Sequence, residues 1–259
     1  MSNNNPIGIF DSGIGGTSIW KEIHHLLPNE NTIYLADSKN APYGQKSKEE
    51  IIALCIKNTE FLLNKNCKMI IVACNTATTN AIKELRAKYN VPFIGIEPAI
   101  KPAANQTKTE TIGILATKGT LNSELFNRAV ETYSNIKIVE QVGFGLVQLI
   151  EEGKMESEEM TGLLNSYLKP MIEANIDYLV LGCTHYPYLI PQIKRIIPNH
   201  IKIIDSGEAV AKQTKKILEK NNLLNLSEEK KQQIFYTNSD SKVLKEILGF
   251  SDNVFEKDF

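Results

Sequence analysis

The chain has 259 residues, of which 42% are hydrophobic and 23% are charged, with a formal net charge of −1 at pH 7. These are the proportions of a globular protein of one large or two ordinary domains, and the balanced charge gives no electrostatic reason to expect nucleic acid or an anionic membrane as a partner. No apolar run reaches the roughly 20 residues that span a bilayer, and the polar start of the chain lacks the features of a signal peptide. We therefore expect a cytoplasmic protein.

Short apolar runs alternate with amphipathic segments along the first part of the chain. The runs predict strands, and the segments between them predict helices. Ser47 and Glu50 have the spacing of a capping box, which predicts a helix that begins after Ser47. A glycine-rich turn over residues 13–16 is expected to offer backbone N–H groups to an anion. The predicted strands are 7–10, 32–36, 69–73 and 91–96, and the predicted helices end near residues 27, 64 and 89.

The same pattern restarts at Ile112, where a run echoes the one that begins at Ile7. Alternating strands and helices predict mostly parallel sheets that are covered on both faces. We expect two similar α/β lobes with a cleft between their strand ends, and a polar tail whose one strand packs against the first half. After the strand at Ile112, the predicted strands are 136–141, 178–182, 201–204 and 234–236, and the predicted helices are 123–133, 146–152, 156–174, 191–197 and 207–220.

Two cysteines, Cys74 and Cys183, stand at equivalent points of the two halves. Each follows a short, partly β-branched apolar run, so each is placed at the carboxyl end of a strand, where open α/β sheets bind ligands. Their separation along the chain is close to that between Ile7 and Ile112. Two echoes at nearly the same separation favour a duplicated α/β unit with one site between its halves.

Paired thiols allow more than one chemistry. A thiolate is the reactive form of cysteine, and a nearby helix N-terminus lowers the pKa of a thiol. Two facing thiols can act as base and acid on opposite faces of one carbon atom. The same pair could form a redox disulfide, or ligate a metal together with His185. A single buried cysteine is more often a packing residue, which is our interpretation of Cys55 and Cys67.

The residues around both cysteines resemble the glutamate racemase family, cofactor-independent bacterial enzymes that supply D-glutamate for peptidoglycan. The matching segments occur in the family's order between Ile7 and Ala211. They are Phe10-Asp11-Ser12-Gly13-Ile14-Gly15-Gly16, Pro42-Tyr43-Gly44, Ala73-Cys74-Asn75-Thr76-Ala77, Ile96-Glu97-Pro98-Ala99, Leu181-Gly182-Cys183-Thr184-His185-Tyr186-Pro187 and Asp205-Ser206-Gly207.

The resemblance implies a fold and an arrangement of lobes. It implies two α/β lobes with mostly parallel sheets, related by a pseudo-two-fold axis, with the active site in the cleft between them. The first lobe is expected to span residues 1–97 and to be joined by residues 208–259, and the second is expected to span residues 98–207. The resemblance also implies a homodimer that acts on a small molecule and needs no cofactor and no metal.

The resemblance further implies a two-base mechanism of racemisation. Cys74 would remove the α-proton from one enantiomer of glutamate, and Cys183 would remove it from the other. Asp11 would assist Cys74, and His185 and Glu151 would assist Cys183. The residues implied to hold the substrate are Asp11, Ser12, Tyr43, Gly44, Asn75, Thr76, Thr184 and His185.

Several alternatives stay open at this point. Glu152 is the alternative to Glu151 as the assisting carboxylate. Aspartate racemase shares the fold and the paired cysteines, but that family tends to carry Glu at the position of His185. A non-catalytic amino-acid-binding module would bind glutamate without needing either thiol, and a dithiol redox or metal protein would form a disulfide or hold a metal.

Overall fold

The computed structural model describes residues 4–227, 231–250 and 252–259. Ten strands and eleven α-helices alternate along these residues. In chain order the strands are β1 (Ile7–Asp11), β2 (Thr32–Ala36), β3 (Met69–Val72), β4 (Phe93–Gly95), β5 (Thr111–Ala116), β6 (Lys137–Val142), β7 (Tyr178–Gly182), β8 (Lys202–Ile204), β9 (Gln233–Thr237) and β10 (Val254–Glu256).

The strands form two sheets in which every described pair is parallel. The first sheet has the order β10-β9-β2-β1-β3-β4, and the second has the order β6-β5-β7-β8. The run β2-β1-β3-β4 therefore repeats in the second sheet, as a duplicated α/β unit predicts. The predicted fold class, α/β with two mostly parallel sheets, is confirmed. The boundaries between lobes after residues 97 and 207 stay a prediction.

Side-chain caps set several of the helix starts. Ser47 Oγ accepts the backbone N–H of Glu50 at 3.3 Å, and the Glu50 carboxylate accepts the N–H of Ser47 at 2.9 Å, so the predicted capping box is confirmed. The α-helices are α1 (Thr17–Leu26), α2 (Lys48–Asn64), α3 (Asn75–Lys88), α4 (Ile100–Ala104), α5 (Lys118–Leu121), α6 (Glu124–Glu131), α7 (Leu146–Glu151), α8 (Glu158–Glu173), α9 (Ile190–Ile196), α10 (Gly207–Lys220) and α11 (Lys242–Leu248), and short 3-10 helices span Ser38–Asn40, Tyr43–Gln45 and Tyr186–Leu189.

The sequence pattern missed four short elements. Helices α4, α5 and α11 and strand β10 have seven residues or fewer, and so short a segment contains few repeats of a helical or strand period. Strand β4 is shorter than the predicted 91–96. Pro92 has no backbone N–H to donate, and the pairing with β3 begins at Phe93, opposite Ile70.

The C-terminal part of the chain adds two strands to the first sheet. β9 pairs with β2, where Gln233 lies opposite Thr32, and β10 pairs with β9. Helix α10 packs against α1. The end of β9 consequently lies beside the loop that follows β2, which borders the site described below.

The core consists of the two sheets and the apolar faces of the helices that cover them. Cys55 and Cys67 are 0% and 1% exposed, and burial raises the pKa of Cys67 to about 12, so both thiols are protonated packing groups near neutral pH. A buried ion pair joins Lys68 Nζ to Glu30 Oε2 at 2.6 Å.

Over the described ranges, the structure contains no helix that is both long and apolar enough to cross a membrane.

Candidate active site

The carboxyl ends of β1, β3 and β7 bring the two strand-end cysteines and their neighbours together. Asp11 is the last residue of β1, Cys74 follows β3, and Cys183 follows β7. Thr184 Oγ1 donates a hydrogen bond to Asp11 Oδ1 at 3.3 Å, which joins the residue after Cys183 to the end of β1. The site is therefore made from the ends of strands in both sheets.

Cys74 caps the amino end of α3. Its Sγ accepts the N–H of Ala77 at 3.4 Å, and its thiol donates to Ser12 Oγ at 3.6 Å. The side chain is 5% exposed. Burial, followed by the charge of Asp11, raises the pKa of Cys74 well above its usual value, although Ala77 N–H and Ser12 oppose this. The expected lowering of the thiol pKa by the helix N-terminus is outweighed.

Asp11 is completely buried and holds the glycine-rich turn in place. Its Oδ2 accepts the N–H of Gly16 at 2.9 Å and that of Gly13 at 3.3 Å. Burial raises the pKa of Asp11 to about 6, while the charge of His185 and the N–H of Gly16 act to lower it. Asp11 can therefore gain and lose a proton near neutral pH.

On the other side, Cys183 lies beside a buried imidazole. His185 Nδ1 lies 3.8 Å from Cys183 Sγ and 4.0 Å from Asp11 Oδ2, so this one nitrogen faces both groups. Burial acts to lower the pKa of His185, but hydrogen bonds with Cys183 and Glu151 outweigh it, and the pKa lies well above its usual value. The raised pKa favours the protonated ring at neutral pH, in which Nε2 donates to Glu151 Oε1 at 2.6 Å.

Glu151, at the end of α7, reaches across the cleft, whereas its neighbour Glu152 does not. Glu151 Oε1 also accepts the N–H of Ile14 at 2.7 Å, and Oε2 accepts the hydroxyl of Ser38 at 2.7 Å. Glu152 bonds to Lys154 at 2.6 Å on the surface. The glycine-rich turn, which was expected to offer N–H groups to a bound anion, offers that of Ile14 to a carboxylate of the protein itself.

Asn75, in the first turn of α3, has an amide with no hydrogen-bond partner among the described residues, although it is 3% exposed. A buried amide without partners is costly, so a polar ligand that reached Asn75 would relieve that cost. Thr76 Oγ1 lies 2.8 Å from the hydroxyl of Thr117 and 3.3 Å from that of Thr120, across the cleft. These hydroxyl groups form a polar wall near Asn75.

The expected substrate residue Tyr43 has a hydroxyl that is already fully bonded. It donates to Asp37 Oδ2 and accepts from Asn58 Nδ2 at 3.2 Å. Gly44, the next residue, packs against Thr117, where a Cβ atom would lie 2.9 Å from the threonine Cβ. This segment can therefore contribute backbone and a ring face to the site, but no free tyrosine hydroxyl.

Four residues that the sequence analysis did not single out also border the site: Ser38, Asp37, Thr117 and Thr120. Thr117 follows β5 just as Ser12 follows β1, so a closer comparison of the two echoing runs would have found it. Ser38 and Asp37 have no such signal, because their roles depend on contacts with distant parts of the chain.

A cavity of about 580 Å³ lies on the outer side of Glu151. Ile14, Ser38 and Glu151 are among the residues that line it. Ile14 and Ser38 each donate a hydrogen bond to Glu151, whose carboxylate also contacts His185. Cys74 and Cys183 do not line this cavity and are 5% and 7% exposed. Among the described residues, no group of three or more His, Cys, Asp or Glu side chains could hold a metal ion.

Comparison with known proteins identifies the class to which this fold and site belong. A family profile for Asp/Glu/Hydantoin racemases matches residues 7–214. The chain belongs to this racemase family. A glutamate racemase from Herpetosiphon aurantiacus is 45% identical over 221 residues, which cover 85% of this chain and 87% of that one. One from Pseudomonas putida strain F1 is 42% identical over 245 residues, which cover 94% and 92%.

Solved structures agree with this assignment. A glutamate racemase isoform from Bacillus anthracis superposes with a TM-score of 0.87 at 30% identity, covering 99% of this chain and 98% of that one. The Escherichia coli glutamate racemase, solved with L-glutamate and the activator UDP-MurNAc-Ala, gives a TM-score of 0.86 at 31% identity and 98% coverage of both chains. The predicted resemblance to glutamate racemase is confirmed, and the enzyme class is that of an isomerase, an amino-acid racemase.

An aspartate racemase from Picrophilus torridus shares the fold alone. Its TM-score is 0.57 at 18% identity, with 85% of this chain and 100% of that chain covered.

Proposed function

We propose that this protein interconverts L-glutamate and D-glutamate by proton transfer at the α-carbon between two thiols. The observation that carries the proposal is the placement of Cys74 and Cys183 after equivalent strands of the two sheets, each with its own buried acid–base group. Two acid–base groups on opposite faces of the α-carbon can invert it, because one removes the proton and the other returns one to the other face.

The first transfer starts at Cys74. Its proton passes to Asp11, whose pKa of about 6 leaves it mostly ionised at neutral pH. The thiolate then takes the α-proton of one enantiomer, and the electron pair stays on the α-carbon. The high pKa of Cys74 makes its thiolate a strong base, which suits a weakly acidic C–H bond. Cys183 donates its proton to the opposite face and becomes a thiolate.

The site is reset through His185. The protonated ring can give its Nδ1 proton to the Cys183 thiolate, and the proton held by Asp11 then replaces it on the same nitrogen. The distances of 3.8 Å and 4.0 Å are long for proton transfer, but catalytic hydrogen bonds commonly shorten when substrate binds. Glu151 holds the ring from the other side through Nε2. The reverse reaction uses the same steps in the opposite order.

Substrate binding would use the groups whose polar atoms point into the cleft. The unpartnered amide of Asn75 is a donor for a substrate carboxylate, and the Thr76 hydroxyl becomes one if it turns away from Thr117. The Thr184 hydroxyl would have to release Asp11 Oδ1 to do the same, and Asp11 would then accept from the ammonium group. Ser12 and the backbone at Gly44 complete the wall. Residue roles in this proposal rest on geometry and on the family likeness.

Three further points follow from the likeness and are also proposals. The product D-glutamate would supply peptidoglycan synthesis, the enzyme would act in the cytoplasm, and two copies would form a homodimer. Glutamate itself is the ligand in the solved complex of the Francisella tularensis glutamate racemase with D-glutamate.

The test is to incubate the purified protein with L-glutamate in D2O, without added cofactor, and to follow circular dichroism and the α-proton signal. We expect the optical signal to decay to zero while deuterium replaces hydrogen at the α-carbon. Loss of aspartate optical activity in place of glutamate would favour aspartate racemase. Glutamate binding without exchange, retained after loss of both thiols, would favour a binding module.

A further inference from the structure

The loop that follows β2 borders the cleft on the side of the first sheet. This loop, residues 37–45, is called the site loop. Its Ser38 bonds to Glu151, and its Gly44 packs against Thr117. Both contacts reach residues of the second half of the chain, so the position of the site loop sets the width of the cleft where glutamate is proposed to bind.

Asp37, the first residue of the site loop, holds the loop through hydrogen bonds to its carboxyl group. This residue is 1% exposed, and its carboxyl oxygens accept hydrogen bonds from the Tyr43 hydroxyl, from Asn40 Nδ2 at 2.7 Å and from Asn238 Nδ2 at 2.5 Å. The Asp37 N–H also donates to the Asp11 carbonyl at 3.1 Å. A buried carboxyl group depends on such donors for its stability.

Asn238 is the one donor in this set that comes from the C-terminal part of the chain. It follows β9, far from the loop in sequence. Its Nδ2 donates to Asp37, and its Oδ1 accepts the N–H of Lys39 at 2.9 Å. A single amide thus holds both ends of the first turn of the site loop.

We infer that Asn238 is a positioning residue for glutamate binding, acting through Asp37 and Tyr43 on the site loop. The inference rests on the proposed function, because it concerns the same substrate cleft. Asn238 does not touch the thiols, Asp11 or His185 in the described structure, and the C-terminal strands thereby contribute to the site as well as to the first sheet.

The chain offers a matched control at the other end of the same strand pair. Asn31 precedes β2, and its side chain also makes two hydrogen bonds: Nδ2 donates to the Asn4 carbonyl at 2.7 Å, and Oδ1 accepts the N–H of Gln232 at 2.8 Å. It ties the first sheet to the C-terminal strand as Asn238 does. It lies at the amino ends of the strands, away from the site.

The experiment compares Asn238→Asp with Asn31→Asp in the whole chain of 259 residues. Each change keeps the size of the side chain and its acceptor oxygen and replaces the NH2 donor group with a second acceptor oxygen. At position 238 it also sets a carboxylate against Asp37. We expect KM for glutamate to rise roughly tenfold in Asn238→Asp with kcat within about threefold of wild type, because a binding wall is displaced while the thiols stay in place. Asn31→Asp should leave both constants within about twofold.

Hydrogen–deuterium exchange gives a readout that does not depend on activity. Peptides covering residues 38–46 should exchange faster in Asn238→Asp than in wild type, and should be unchanged in Asn31→Asp. Thermal melts check that both variants fold. If Asn238→Asp does not fold, Asn238→Ala, which adds no charge, takes its place in the comparison. An unchanged KM in a folded position-238 variant, or an equal rise in Asn31→Asp, overturns the inference. A wild-type protein that fails to racemise glutamate overturns the proposed function instead.

Discussion

The two halves of the site are built from equivalent strands, yet one thiol lies beside an acidic side chain and the other beside a basic one. Cys74 lies beside Asp11, a buried carboxyl group that helps to raise the pKa of the thiol. Cys183 lies beside His185, a buried imidazole whose own pKa is raised so that it carries a proton. The repeated strand order accounts for where the sulfur atoms lie. The chain beyond the strand ends accounts for which titratable group lies beside each sulfur atom.

This difference suits a reaction that must work in both directions. One side holds a group that receives a proton near neutral pH, and the other holds a group that supplies one. His185 Nδ1 lies between Asp11 and Cys183, so the two sides are joined by one nitrogen. Replacing groups on one side at a time should therefore affect the deprotonation of L-glutamate and of D-glutamate differently.

The largest effect is expected from the thiols themselves. Cys74→Ser and Cys183→Ser should each lower kcat/KM for racemisation by about 10³-fold or more. A serine hydroxyl is far less acidic than a thiol, so it neither gives up its own proton nor forms the anion that would take the α-proton at neutral pH. The measurement is the decay of circular dichroism of either enantiomer. Normal melting curves would show that the fold is intact.

A substrate analogue with a leaving group separates the two thiols. Elimination of HCl from 3-chloroglutamate needs only one base, which removes the α-proton while chloride leaves. Each Cys→Ser variant should therefore retain elimination from the enantiomer that faces its remaining thiol, and the two variants should prefer opposite enantiomers. If both variants acted on the same enantiomer, the proposed division between the thiols would be wrong.

The next largest effect is expected at the assisting groups. Asp11→Asn and His185→Asn should lower kcat/KM by roughly 10²-fold, the usual scale for loss of an acid–base group. The two enantiomers have equal free energies in water, so kcat/KM must fall equally in both directions. The difference between the sides appears in the isotope effect measured with α-deuterated glutamate.

Asp11→Asn should increase the isotope effect for the enantiomer that Cys74 deprotonates, since that step becomes slower. His185→Asn should do so for the other enantiomer. Glu50→Gln, a change of a surface carboxylate in the capping box of α2, is the control and should leave the isotope effects as they are. Equal isotope effects for both enantiomers in Asp11→Asn would contradict its assignment to Cys74.

The pH dependence gives a smaller effect of defined sign. In the proposed mechanism Asp11 must be ionised to receive the Cys74 proton, and burial raises the pKa of Asp11 to about 6. We expect kcat/KM to fall as pH drops below about 6, by roughly tenfold per pH unit. This limb should be missing from the residual activity of Asp11→Asn. An acid limb that persists unchanged in that variant would assign it to another group.

Much of the fold could be predicted because its signals are local. Apolar runs marked the strands, the Ser47 capping box marked the start of α2, and the echo between Ile7 and Ile112 marked the repeat in strand order. The positions of Cys74 and Cys183 at strand ends followed from the same runs. Each of these features depends on residues close together in the chain.

What could not be predicted depends on contacts between distant residues. The pKa of Cys74 rises because the surrounding fold buries it, which no capping pattern reveals. The hydroxyl of Tyr43 faces Asp37 and is not free for a ligand. Adjacent glutamates at 151 and 152 look alike in sequence, and only the fold brings one of them to Ile14 and His185.

The smallest expected effect compares those two glutamates. Glu151 receives Nε2 of His185 and bridges to Ile14 and Ser38, whereas Glu152 bonds to Lys154 on the surface. In Glu151→Gln the ring loses its charged partner, so the proton on His185 is less firmly held. We expect kcat/KM to fall by about fivefold, because the neutral amide oxygen of glutamine can still accept from Nε2 and only the charge assistance is lost. Glu152→Gln, the same change one residue along, should stay within about twofold.

The direction of the pH response sharpens this last comparison. Glu151 is one of the groups that raise the pKa of His185, so its replacement by a neutral amide should lower that pKa. The alkaline limb of kcat/KM, where His185 loses its proton, should then move to lower pH in Glu151→Gln and stay in place in Glu152→Gln. NMR titration of the His185 ring would measure the same shift directly. An alkaline limb that moved in neither variant would mean that the Glu151 contact does not control the proton on His185, and the assistance at Cys183 would then rest on His185 alone.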